Sequence, residues 1–364
     1  MKRISHFLLI IGLFCGTLYA SGNKYWLVNE YLENNPTQKK ISTDFVELIR
    51  NDSIKLSISQ NKPVKIVMIY PGNQISDYWR RSKESFEKRL QELNVKYVLE
   101  DHFTKPAIQI KEQAKYLLHA IKDDTDYLIF TLDALKHSQF IERILSKKKP
   151  KLILQNITTP VKKWEQRQPF MYVGFDHVIG SELLAQYYIQ KTQKNGKYAL
   201  LYGTKGYVSH MRGDEFIHYL NDKTNLVMVD SYYTDFNKQK AMNATKQLLE
   251  DHKDLKFIYA ASTDIALGVV EVLKQNNLTG KILTNGWGGG SSELEAIEKN
   301  LLDITVMRIN DDNGVAMAEA VKLDLEGKSK KVPTIFSGDF EIIKKGIDKN
   351  TMESLKAKAF RYSN

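Results

Sequence analysis

Strand-like and helix-like segments alternate along most of this chain, and that alternation restricts its fold more than any other feature. Apolar runs recur at Val64–Ile69, Lys96–Leu99, Tyr127–Thr131, Lys151–Leu154, Tyr172–Phe175, Tyr198–Tyr202, Leu226–Tyr233, Phe257–Ala261, Lys281–Thr284 and Ile304–Met307. Between most of them lie helical patterns: Trp79–Leu93, Ala107–Ile121, Gly180–Thr192, Met211–Leu220, Asn237–Leu249, Asp264–Gln275 and Ser292–Lys299. Strands joined through helices run parallel, and the helices then cover both faces of the sheet. So many strands exceed one comfortable sheet. The expected fold class is therefore α/β, with two Rossmann-like lobes built on parallel sheets. Ser292 and Glu295 are spaced as a capping box.

The amino terminus points to export. Lys2 and Arg3 precede the apolar run Phe7 to Phe14, and Leu18-Tyr19-Ala20 offers a small residue for cleavage. This is the order of a signal peptide, residues 1–20, and the run is shorter than the roughly 20 apolar residues of a spanning helix. The lone cysteine, Cys15, lies within it. Bulky Phe14 before it argues against a lipoprotein, and cleavage after Ala20 leaves no thiol for a disulfide, a metal or catalysis. Residues 21–60 precede the first strand as an extension, helical at Thr43–Arg50.

The formal net charge of +10 falls to +8 once Lys2 and Arg3 are removed. Its densest knots, Lys147-Lys148-Lys149 and Lys328 to Lys331, sit beside Pro150 or Gly327 in expected surface turns. A solvated basic surface accounts for them, and export disfavours nucleic acid. No later segment calls for membrane insertion.

Candidate site residues cluster at strand exits, where open α/β sheets place ligands. Val64–Tyr70 empties into Gln74-Ile75-Ser76-Asp77-Tyr78-Trp79, which carries an amide, a hydroxyl and an indole. Asn156 follows Lys151–Gln155, and Arg212 follows the loop after Tyr198–Tyr202. Ser262-Thr263-Asp264, Trp287 and Arg308 close three further strands. Such a set suits a compact polyol: hydrogen-bond partners for hydroxyls and aromatic faces for carbons. Each member has a plainer reading. Trp79 and Trp287 suit a core, Asp264 suits a helix cap, and the arginines suit surface ion pairs with Asp214, Glu215, Asp311 or Asp312.

Tyr172-Val173-Gly174-Phe175-Asp176, Thr284-Asn285-Gly286-Trp287 and Thr305-Val306-Met307-Arg308 resemble the three interdomain crossovers of type I periplasmic binding proteins. Over its mature length the chain resembles the LuxP-type autoinducer-2 receptors of that superfamily. The motifs are Gln74–Trp79, Leu154-Gln155-Asn156, Arg212-Gly213-Asp214-Glu215-Phe216, Ala261–Asp264, Asn285–Trp287 and Val306–Arg308.

That resemblance implies a three-stranded hinge. It also implies an N-terminal lobe of residues 61–174 plus 287–306 and a C-terminal lobe of 175–286 plus 307–364. The implied ligand is autoinducer-2, as its anionic furanosyl borate diester or without boron. Arg212 and Arg308 would bracket its charge through rigid, permanently protonated forks. Gln74, Ser76, Asn156 and Thr263 would meet oxygens, Asp264 would accept hydroxyl protons or orient an arginine, and Trp79 and Trp287 would cover apolar edges. The implied partner is the periplasmic domain of a LuxQ-type sensor kinase, reached by hinge closure on the ligand.

Two other functions stay open: a ribose-like sugar receptor of an ABC importer, and an exported enzyme on the same fold. For the enzyme, Gly286-Trp287-Gly288-Gly289-Gly290 lacks the third glycine of a dinucleotide fingerprint and the Lys-Ser/Thr of a P-loop. The histidines show no metal-ligand spacing and read as surface or packing residues, and there is no Gly-x-Ser-x-Gly elbow. Neither a cofactor nor a metal is expected.

Overall fold

The computed structural model describes residues 24–132 and 137–364. The expected signal peptide, with Cys15, lies outside them. Among the described residues no helix is long and apolar enough to cross a membrane.

Among the described residues, twelve strands form two six-stranded sheets. They are β1 (Val64–Tyr70), β2 (Tyr97–Phe103), β3 (Tyr127–Thr131), β4 (Lys151–Gln155), β5 (Met171–Phe175), β6 (Asn195–Tyr202), β7 (Asn225–Tyr233), β8 (Leu255–Ala260), β9 (Leu283–Gly288), β10 (Ile304–Arg308), β11 (Ile335–Gly338) and β12 (Phe340–Lys344). The first sheet runs β11-β5-β4-β3-β1-β2 and the second β12-β10-β9-β8-β6-β7. Every pairing is parallel except β12 against β10. The two-lobed α/β architecture expected from the alternation is the observed one. The inner strands read as near-continuous apolar runs because helices cover both faces, so β3 and β5 are buried along their whole length.

The chain crosses between lobes three times: after β5, after β10 and between β11 and β12. Tyr172–Asp176 is a crossover, as expected, and so is Thr305–Arg308, but Thr284–Trp287 is not. β9 pairs in parallel with β8 and with β10, which holds residues 287–306 in the second lobe rather than the first. The expected lobe boundaries are corrected further along the chain too. Residues 311–338 return to the first lobe: helix Asp311–Leu325 packs on helix Tyr78–Glu92, and β11 pairs with β5. Gly314 permits that contact, since a Cβ there would lie 2.1 Å from Ser85 Oγ. β12 and helix Lys349–Ala359 then complete the second lobe.

The extension preceding β1 contains two helices, Val28–Asn34 and Pro36–Arg50, and Phe45 and Ile49 of the second enter the first lobe's core. The expected capping box at Ser292 is also corrected. Helix Ser291–Glu298 is capped by Gly290, which leaves Ser292 inside the first turn.

Candidate functional site

The strand exits of both sheets meet at one cleft of about 440 Å³ of free space, counting its open mouth. Gln74, Ser76, Trp79, Asn156, Arg212, Thr263, Trp287 and Arg308 all line it, and among the described residues no carboxylate does. Tyr78, Ser262, Val208, Phe236, Pro71 and Pro106 complete the wall. Tyr78 and Ser262 sit inside motifs visible in the sequence, while Phe236 arrives from a loop with no distinguishing pattern.

Both guanidiniums come from the second lobe. Arg212 occupies a single π-helical turn, His210–Asp214, where the widened ladder frees its carbonyl. That carbonyl accepts from the Tyr259 hydroxyl at 2.8 Å and from Ser181 Oγ at 3.0 Å. Its guanidinium donates to the Ala261 carbonyl at 2.9 Å and lies 3.7 Å over the Trp287 ring. The indole in turn donates to the Tyr259 hydroxyl at 3.1 Å. Arg308, ending β10 at a crossover, stacks 4.3 Å over Tyr78 and 5.2 Å over Trp287. Burial pulls the Arg308 pKa below its ordinary value, partly countered by Tyr78, Glu293 and Asp77. The group still carries its charge, because arginine titrates far above neutral pH.

Three buried polar atoms of this wall have no hydrogen-bond partner among the described residues: Asn156 Oδ1, Ser262 Oγ and Arg308 Nε. Asn156 adopts a left-handed backbone, φ 65°, at the end of β4. Such conformations and such orphaned groups concentrate at ligand sites, since each costs free energy that nothing inside the protein returns.

Asp264 behaves differently from the other sequence candidates. It is not among the lining residues, and its two oxygens accept from the backbone amides of Ile75 at 2.9 Å and Ser76 at 3.2 Å, in the opposite lobe. It lies in the first turn of helix Thr263–Gln275, whose cap position is Ser262. Burial raises its pKa, and the two amides counter that. A reciprocal contact runs the other way: Asp77 of the first lobe accepts from the Ser291 amide at 3.2 Å and its hydroxyl at 2.8 Å. Burial alone would raise the Asp77 pKa, but Arg81 and Ser291 hold it below its usual value. Each lobe thus lends a carboxylate to the other's backbone, and the two lobes touch beside the cleft.

His177 is a functional candidate that its residue type did not reveal. The histidines read as surface or packing residues; this one does pack, buried beside the first crossover, and it is also bonded to residues of the cleft wall. Away from the cleft, Glu100, His119 and Asp123 bring ligand atoms within 4.8 Å of one another, although Asp123 is already paired with Lys65.

The periplasmic binding protein domain family matches residues 66–329, well over half of the chain. The chain belongs to this family. The ribose import binding protein RbsB of Bacillus subtilis (strain 168) is 31% identical over 166 residues, covering 45% of this chain and 53% of that relative. The chain therefore spans about half the length of that curated relative. Among solved structures, an ABC transporter solute-binding protein from Actinobacillus succinogenes 130z with bound D-allose aligns at a TM-score of 0.67 and 19% identity. That alignment covers 80% of this chain and 100% of that one. The XylFII–LytSN complex aligns with the same TM-score, 0.67, and 19% identity, over 79% and 99%. At these identities the structures speak for the fold alone, and they agree with the two lobes described above.

Proposed function

We propose that this protein is an exported, non-catalytic receptor that closes its two lobes around a compact, oxygen-rich molecule of sugar size. Its ligand class is that of its relatives, named for ribose and D-allose, and its natural partner is an importer that accepts the closed form. The carrying observation is the trio of buried, unpartnered polar atoms, Asn156 Oδ1, Ser262 Oγ and Arg308 Nε, facing one cleft between the lobes. Leaving a buried donor or acceptor unpaired costs about 1–3 kcal/mol, and more for a charged group. Closing an empty cleft therefore opposes itself, and a ligand with several acceptors relieves that opposition. Ligand shifts the equilibrium toward closure only by its preference for the closed state, and these groups supply the preference.

A second reading, an autoinducer-2 receptor acting on a membrane sensor kinase, is favoured by one specific observation. Arg212 and Arg308 reach the same cleft wall, and two guanidiniums suit an anionic borate diester better than a neutral sugar. Gln74, Ser76 and Thr263 would then meet its oxygens, and Trp79 and Trp287 its apolar edges. The likeness to the XylFII–LytSN complex is compatible with a second protein binding this fold, but the curated relatives favour the import reading.

Calorimetric titration of protein stripped of ligand by unfolding and refolding tests both readings. D-Ribose or D-allose heat that is indifferent to borate supports the import receptor. Tight binding of autoinducer-2 precursor that requires borate, with both sugars silent, replaces it with the signalling receptor. Silence from all three overturns the ligand class.

A further inference from the structure

We infer that His177 is the positioning residue of this cleft, a neutral imidazole whose two nitrogens tie the first lobe's Asn156 to the second lobe's Arg212. The inference deepens the proposed ligand site and rests on it.

His177 follows Asp176, the cap of helix His177–Thr192, directly after the first crossover. Arg212 Nε lies 3.2 Å from His177 Nδ1, and His177 Nε2 lies 3.0 Å from the Asn156 carbonyl oxygen. These two contacts leave one tautomer. A guanidinium Nε only donates, so Nδ1 must accept; a carbonyl only accepts, so Nε2 must carry the proton. A protonated ring could not take the Arg212 bond at all. The ring also packs on Trp287 and Tyr207, with centroids 5.2 Å and 5.6 Å away, and is buried.

Consequences follow on both sides of the cleft. Asn156, with φ at 65° and its side-chain oxygen unpartnered, is held by its own amide, which donates to the Val173 carbonyl at 2.8 Å, and by the imidazole on its carbonyl. Arg212 has its Nε fixed by His177 and one terminal nitrogen fixed by the Ala261 carbonyl, so its plane over Trp287 is set before ligand arrives. Prepaying that order strengthens binding without adding a ligand contact. The charged and titratable groups facing the ring are Arg212 from the π-helical turn, Arg308 from β10 and Tyr207 from the neighbouring turn. Burial, then Arg212, then Arg308 hold the His177 pKa well below its ordinary value, against the favourable Asn156 carbonyl. Neutrality at pH 7 follows, and acid that protonates the ring removes the Arg212 contact.

The test begins without ligand. Nitrogen-15 histidine spectra of the whole protein at pH 7 should show His177 as the neutral Nε2–H tautomer, with an Nδ1 resonance displaced by hydrogen-bond acceptance. In R212A that displacement should vanish. A protonated ring, the Nδ1–H tautomer, or an Nδ1 resonance indifferent to R212A overturns the inference whatever the ligand proves to be.

The second arm titrates D-ribose, D-allose and borated autoinducer-2 precursor, using whichever binds the wild type. H177F keeps the shape but loses both bonds, and should weaken affinity about tenfold or more. H177N returns an acceptor near the Nδ1 position and should recover part of that loss. Affinity of the wild type should also fall in acid more steeply than that of H177N, which retains Asp176 but has no ring to protonate. Equal affinities for H177F and wild type, with both folded, overturn the positioning role. If no probe binds the wild type, the proposed ligand class fails while the spectra still decide the tautomer.

Discussion

The two lobes share a strand order, apart from the reversed edge strand β12, but place their buried arginines in opposite ways. The first lobe hides its charge in its own core. Arg89 of helix Tyr78–Glu92 meets Glu319 of helix Asp311–Leu325 at 2.7 Å, and Lys322 approaches the same carboxylate at 3.6 Å. To the cleft it offers neutral groups: Gln74, Ser76, Tyr78, Trp79 and Asn156. The second lobe keeps an aromatic core, with Tyr188 stacked on Phe257 at 3.9 Å and Phe216 on Tyr259 at 3.9 Å. It sends its two buried guanidiniums to the cleft wall, beside Tyr78 and Trp287. A charge paired inside a lobe's core supports the fold, whereas guanidiniums gathered at a cleft wall favour an electron-rich ligand.

The largest effect should come from breaking the satisfied pair. Glu319→Ala leaves Arg89 and Lys322 buried without their shared carboxylate, and removal of one partner of a buried pair costs about 3–5 kcal/mol. The tyrosine hydroxyl of Tyr362 at 3.0 Å and the carboxylate of Glu92 at 3.2 Å, both already bonded to Arg89, keep the expected loss near the lower figure. Denaturant unfolding measures it. A loss below about 1 kcal/mol would mean that the core pair carries no more than a surface one.

Arg308→Ala should act in the reverse direction. It removes a buried cation whose Nε has no partner, so the ligand-free protein should be no less stable than wild type, while affinity for the ligand drops about 100-fold, close to the 3 kcal/mol of a lost charged hydrogen bond. Gln74→Ala, from the neutral lobe, removes an amide already bonded to the Pro71 carbonyl at 2.9 Å and should cost about tenfold or less. Thermal unfolding beside calorimetry separates the two quantities. Equal affinity losses in the two variants would erase the asymmetry between the lobes.

The gathering of these residues was legible in the sequence, because strand exits in parallel α/β sheets converge on ligand sites, whereas the core pair of Arg89 and Glu319 was not. Every candidate taken from a strand exit reached the cleft wall except Asp264. What escaped notice did so for identifiable reasons. Helix Asp311–Leu325 is buried on nearly all sides, so it shows no polar face and no helical period, and its Asp311 and Asp312 look like surface residues. β9 extends to Gly288, past the apolar run, because Asn285 and Trp287 satisfy their polar groups inside the protein: Asn285 donates to the Ala260 carbonyl and Trp287 to Tyr259. The role of Asp264 depends on Ile75 and Ser76, far away in sequence and brought near only by closure. His177 carries no local signal, since both of its partners lie on other elements.

The last expected effect, no larger than that of Gln74→Ala, isolates closure itself. Gly290 stands where the two lobes touch: a Cβ there would lie 2.2 Å from Asp77 Oδ1, the carboxylate that accepts from Ser291. Its φ of −72° suits any residue, so Gly290→Ala places no strain on the open second lobe and only obstructs the approach of the first. Shifting Asp77 also disturbs Arg81, which bonds that carboxylate at 2.7 Å and reaches Ser291 Oγ at 2.9 Å. Affinity should fall by about tenfold, the worth of one charge-assisted contact, with unfolding of the ligand-free protein unchanged. The loss should appear as faster ligand release, because the first encounter with the second lobe's guanidiniums remains intact. Stopped-flow release and association rates decide the matter. A slowed association with unchanged release would mean that Gly290 governs entry to the cleft and that the reciprocal carboxylates do not hold the lobes together.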